Sequence, residues 1–337
     1  MKRIVWVDYA KSLAIFGVAL LHTCCDDRLD LMINSFIMPV FFIISGRLFS
    51  YTRNPDFGRF AWKRFRQLVV PYFWIGALSY VVWLVVLRHY GPDAEDQIAW
   101  YYPLVGQIAG IPRMLPHNVP LWSLLTFYVI EMLYYPLGRL RGGNLIAIGI
   151  GIVAMIAIFF LMEDRAGYVP FVICPSLVGL LYYGLGRLWR RYPAVDRIVM
   201  HPAAIVVLLI AFILSATSNG QTFYYICRYG DSPLLYLVAS LSGSVLVVYA
   251  SQLLGRLGDC RLIRFISVNT LLICGFHLLA YAFIKGVLLF GFGIEPALLT
   301  AGIARGLLLA LSGVALTLPL CLIVDRWLPF LVDKRGA

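Results

Sequence analysis

Charge is scarce in this sequence. Asp, Glu, Lys and Arg make up 13% of the 337 residues and apolar residues 61%, where soluble domains run near roughly 25% and 45–50%. That balance excludes an ordinary soluble domain and points to a chain built for the bilayer. Acidic side chains are the rarer sign, 17 against 28 Lys and Arg, for a net charge of +11. In a soluble chain such an excess would suggest nucleic acid. Here the cations sit in short connections between apolar runs, so nucleic acid is not an expected partner and membrane lipid is. The seven cysteines form no CxxC pair and no metal-ligand spacing, and no metal is expected. Cys24 and Cys25 cannot easily bridge each other; either can meet Cys227, although free thiols are the simpler reading. No small-residue cleavage site follows His22, so the first apolar segment is expected to persist as a helix. There is no internal repeat of the inverted kind found in many secondary transporters, and nothing marks a second domain: 1–337 reads as one unit.

What is present is a series of apolar runs, each near the length of about twenty residues that a span needs. They centre on 5–23, 31–49, 68–87, 120–138, 145–162, 169–188, 203–217, 233–254, 267–290 and 306–324, so the expected fold is an all-α polytopic membrane protein of about ten transmembrane helices. Alternate connections then collect most of the 28 cations on one side. The other side receives only Arg28, Arg88, Arg113, Arg165, Arg228, Lys285 and Arg305, together with several acids. By the positive-inside rule both termini are cytoplasmic. The longest connection, about Arg88 to Pro120, is rich in proline and aromatics and reads as an ordered or re-entrant lid. Arg59 to Gln67, with Phe60, Trp62 and Phe65 among its charges, reads as an interfacial helix.

Several spans carry polar side chains that anchoring does not need. Asp8, Lys11 and His22 fall on nearly one face of the first, with Lys11 and His22 about 16 Å apart along the axis. Such groups cost free energy in hydrocarbon unless they line a wet or protein-filled cavity, so they mark a functional site by default. His22 is a candidate general base, or else a histidine bonded at a helix end. Lys11 either serves chemistry or snorkels to the inner surface while pairing with Asp8 three residues away. Glu131 in the fourth span and His277 in the ninth are further candidates, His277 equally readable as interhelical glue. Arg64 and Arg66, in the run Lys63 to Tyr72, suit positive-inside anchoring or a phosphate-rich cytosolic cofactor.

Taken in order, these runs resemble the acyltransferase family 3 membrane proteins, the group that includes surface-polysaccharide O-acetyltransferases and fucose 4-O-acetylase-like proteins. The resemblance rests on Asp8 and Lys11 ahead of His22, on Phe41 to Gly46 (Phe-Phe-x-x-Ser-Gly), on the basic run Lys63 to Tyr72 closing in Pro-Tyr, on Leu121-Trp122, and on Asn269 to His277. Lys11 stands where most members carry Arg, which keeps the charge and loses the planar fork. What the resemblance implies is transfer of an acyl group, acetyl in the first instance, from cytosolic acyl-CoA to a sugar hydroxyl of a surface glycan or its lipid-linked precursor, in a bacterial inner membrane. It implies His22 as general base or transient acyl carrier, Lys11 with Asp8 holding the donor or stabilising charge, Arg64 and Arg66 at the donor's nucleotide end, and Asn269 or His277 donating to the thioester oxygen. A transporter or flippase for a small or lipid-linked substrate is the rival, since intramembrane Asp, Lys, Glu and His also build substrate paths. A membrane protein without catalysis is the third reading.

Overall fold

A computed structural model describes residues 3–23, 26–90, 92–192, 194–199, 201–295, 298 and 302–333. The pairing of Cys24 or Cys25 with Cys227 lies outside these residues. A long helix occupies each of the ten expected positions, because an apolar run in lipid must satisfy its backbone internally. In chain order the helices are α1 (Val5–Leu21), α2 (Asp27–Leu48), α3 (Phe57–Arg64), α4 (Val70–Val85), the short α5 (Pro92–Glu95), α6 (Tyr102–Ala109), α7 (Trp122–Leu137), α8 (Gly143–Leu161), α9 (Ile173–Arg191), the short α10 (Ala194–Val199), α11 (Pro202–Ser218), α12 (Pro233–Gly255), α13 (Arg261–Val268), α14 (Thr270–Gly286) and α15 (Ile303–Trp327). Among the described residues seven helical stretches are long and apolar enough to cross a bilayer: those of α2, α8, α9, α12, α14 and α15, and the continuous Phe57–His89. α11 is a shorter apolar helix. α1 and α7, only 17 and 16 residues long, carry Asp8, Lys11 and Glu131. The chain is thus a nearly all-α, multi-pass membrane protein. The departure from all-α is a two-stranded hairpin, β1 (Thr222–Phe223) on β2 (Arg228–Tyr229).

The basic run Arg59 to Gln67, expected as an interfacial helix, is helical and lies at the start of a continuous 33-residue helix. α3 passes into α4 through a π-helical stretch, Phe65–Val69. Pro71 supplies the reason: it lacks the N–H that would bond the Gln67 carbonyl, and its ring crowds that carbonyl, so the turn before it widens.

α2 lies at the centre, packed on α1, α9, α11 and α12. Its contact with α9 is made by reciprocal glycines. A Cβ on Gly46 would stand 2.1 Å from the Tyr183 carbonyl oxygen, and one on Gly186 would stand 2.0 Å from that of Ile43. Small residues let membrane helices approach in this way.

The described residues of the connection from Arg88 to Pro120, the expected lid, dock on α4 and α14. The Tyr72 hydroxyl donates to the Gln107 carbonyl, and the Gln107 amide returns a bond to the Tyr72 carbonyl, both at 2.8 Å. Asn118 Nδ2 donates to Ser79 Oγ and to the Gly275 carbonyl, also at 2.8 Å. Such buried pairing fixes a loop that would otherwise carry unsatisfied backbone.

Candidate functional site

α1, α2, the α3–α4 junction, α7 and α14 line a cavity of about 470 Å³, within the range of small-ligand pockets. Helical spacing selects its walls. α1 contributes Lys11, Ile15, Val18 and His22; α2 contributes Asn34, Ile37, Met38, Phe41 and Ser45. Both sets repeat at three and four residues, one face of a helix. Arg64 and Leu68 line the Lys11 end, where Arg64 is an electrostatic neighbour of Lys11. Val119 and Pro120 of the lid, Trp122, Ser123, Thr270 and Cys274 form further wall, with Phe223, Tyr224 and Tyr225 from the hairpin.

His22 projects from the last residues of α1. Its Nδ1 lies 2.8 Å from the Val18 carbonyl oxygen, which can only accept, so Nδ1 carries the proton and Nε2 keeps its lone pair. Behind it stands His277, fully buried, its ring edge-on at 5.0 Å between centroids. His277 Nδ1 donates to the Ile273 carbonyl at 3.0 Å, and its Nε2 has no hydrogen-bond partner among the described residues. Two histidines in the same tautomer, each anchored to its own helix, therefore face each other. The Tyr281 hydroxyl donates to the Ala19 carbonyl at 2.7 Å and clamps α14 on α1 at this level.

At the opposite end the Asp8–Lys11 pairing, one of the two readings of Lys11, is not a direct contact among the described residues. Asp8 instead receives Arg3 Nε at 2.5 Å and the Ser267 hydroxyl at 2.6 Å. With Tyr9 bonded to the Gly258 carbonyl and Ser12 to that of Ile263, these contacts latch α1 to the segment leading into α14. Lys11 is left on the cavity wall with no hydrogen bond or ion pair to a described residue. Arg64 makes a two-pronged pair with Glu131 and donates through Nη1 to Gln67 Oε1 at 2.8 Å. The buried Glu131 is thereby neutralised, as a carboxylate at that depth requires.

The structure brings Lys11, His22 and Arg64 to one cavity. It sets Asp8 and His277 behind the wall and leaves two others elsewhere. Arg66 turns to Asp333, 3.7 Å away, and Asn269 lies at the α13–α14 junction with its amide on the Phe265 carbonyl. Asn269 and His277 are not among the residues that line the cavity, whereas the adjacent Thr270 is. Reading the sequence alone missed the hairpin. Its signal was four aromatics, Phe223, Tyr224, Tyr225 and Tyr229, in a short connection bounded by Asn219 and Gly230. Asn219 holds it closed by donating to the Tyr229 carbonyl at 2.7 Å and accepting from Ser232 N at 2.8 Å. Trp122 stacks on Tyr224 at 5.8 Å and completes that wall.

The arrangement offers a base with a free lone pair at one end of a largely apolar chamber and two cationic groups at the other. Comparison with protein families gives one match over nearly the whole chain: the model described as an acyltransferase domain, Acyl_transf_3, covers residues 4–326. Searches of curated proteins and of solved structures gave no match. The chain belongs to the Acyl_transf_3 family and is a multi-pass membrane acyltransferase.

Proposed function

We propose that the enzyme moves an acyl group, acetyl in the first instance, from acyl-CoA to a hydroxyl of a cell-surface glycan or its lipid-linked precursor, across a bacterial inner membrane with both termini cytoplasmic. The observation that carries this reading is that Lys11, Arg64 and His22 line one cavity, with His22 about 16 Å from Lys11 along α1. A charged nucleotide cannot enter hydrocarbon, but a thin pantetheine arm can lie in such a chamber. The donor's head then stays at the Arg64 end, Lys11 holds polar groups of the arm, and the thioester reaches His22.

There the acceptor hydroxyl gives its proton to His22 Nε2 while its oxygen bonds to the thioester carbon. The tetrahedral intermediate collapses with loss of the carbon–sulfur bond, and the imidazolium returns its proton to the leaving thiolate. His277 serves as a positioning residue behind the ring. The base role suits a histidine whose Nδ1 proton is already committed to Val18.

The test is a mass-spectrometric profile of O-acyl esters on surface glycans from a deletion strain complemented with the wild type, His22→Ala or Lys11→Ala. Esters restored by the wild type alone are expected. Full restoration by both variants, inserted at wild-type levels, would overturn the assignment.

A further inference from the structure

The C-terminal end of α2 collects positive charge that no carboxylate among the described residues neutralises. Arg53 donates to the Leu48 carbonyl. Arg187 and Arg190, near the end of α9, both donate to the Phe49 carbonyl, at 2.5 and 2.6 Å, so their two nitrogens lie within about 5 Å of each other. A helix C-terminus offers only roughly half a negative charge. Asp196, the acid beside them, is already occupied: Arg47 donates to both its oxygens and Trp189 Nε1 donates to one. Among the described residues no carboxylate pairs with Arg53, Arg187 or Arg190.

Positive-inside orientation accounts for the side on which these cations lie, but not for the convergence of Arg187 and Arg190 on one carbonyl. Here Arg187 is stacked over Phe49 and Tyr51, and its buried Nε has no hydrogen-bond partner among the described residues. A buried donor left unsatisfied beside crowded like charges asks for an anion. The cluster also lies near the Arg64 end of the cavity, since Tyr183 has Arg187 and the Arg64–Glu131 pair as its electrostatic neighbours.

We propose that Arg53, Arg187 and Arg190 form a phosphate-binding site. Guanidinium forks match phosphate oxygens, and one carbonyl oxygen pre-positions two of them. Beside a membrane the phosphate has two sources, the nucleotide end of acyl-CoA or an anionic lipid headgroup. The nucleotide form rests on the donor reading above; the lipid form does not.

The test places the full chain in phosphatidylcholine nanodiscs and measures coenzyme A binding by calorimetry for the wild type, R53Q, R187Q and R190Q. Native mass spectrometry in parallel counts phosphatidylglycerol retained after mixing. Coenzyme A binding weakened at least tenfold, with a shallower salt dependence, identifies the nucleotide form. Unchanged coenzyme A affinity with lost phosphatidylglycerol identifies the lipid form. A wild type that binds no coenzyme A, yet retains phosphatidylglycerol through these arginines, would keep the site and sink the donor reading. Variants that bind both probes as the wild type does would overturn the site. R187Q risks the fold through its lost stacking, so the exposed Arg190 and Arg53 carry the decision.

Discussion

Helices α8 and α9 lie side by side, yet α8 has a mean hydropathy of 2.6 with 22% of its span buried, whereas the α9 span has 1.5 with 67% buried. In water the more apolar helix would be the inner one. In lipid the surroundings are as apolar as leucine, so burial is decided by close packing and polar pairing. α9 accordingly turns Gly179, Gly184, Gly186, Tyr182 and Tyr183 inward, while α8 leaves Val153, Phe160 and Leu161 exposed to the lipid. α1 and α7 likewise carry charged and hydroxyl groups that line or brace the cavity.

The comparison is broken most severely at the inner polar groups. Lys11→Ala and His22→Ala should each lower acyl transfer by about 10²–10⁴-fold, and Val153→Ala on α8 should leave the rate unchanged; initial rates on equal amounts of purified protein decide. Next in size is the helix contact. Gly186→Leu forces a side chain into the Ile43 carbonyl and should cost at least about 3 kcal/mol, read as a fall in melting temperature in detergent.

The lid sharpens the contrast, because it too buries polar groups. His117 donates through Nε2 to Gln107 Oε1, and burial pushes its pKa down to about 4. The unfolded lid, with a histidine near 6.5, binds the extra proton first, so stability is full above about pH 6.5 and falls as the pH drops toward 4. Near pH 5 the loss should be about 2 kcal/mol, seen as faster hydrogen exchange over 102–121 that His117→Gln removes. The smallest effect belongs to Gly149 in α8, where an added Cβ meets nothing. Gly149→Ala should stabilise by up to about 1 kcal/mol, and a destabilised variant would mean that this face is covered.

The legibility of the chain follows the same division. Helix positions could be read because each apolar run must bond its own backbone. Lys11 and His22 could be read as one face because eleven residues make about three turns. What could not be read were partners distant in sequence. Asp8 has Lys11 three residues away, yet Ser267 and Arg3 take its oxygens, a choice set by how α13 docks on α1. Arg64 and Arg66 look alike in sequence, but two residues turn a helix by about 200°, so one faces the cavity and the other Asp333. The hairpin wall escaped notice because its aromatics sit in a connection, where hydropathy carries no periodic signal.

The most direct test of the central claim, that the cavity along α1 is the acyl-CoA chamber, is photo-crosslinking. A photoreactive phenylalanine placed at Phe41 on the cavity wall, or at Val153 on the outer face of α8, is irradiated with radiolabelled acetyl-CoA. Label at position 41, competed away by unlabelled coenzyme A and absent at 153, is the predicted result. Equal labelling at both positions, or none at 41 in protein that still transfers acyl groups, would contradict it.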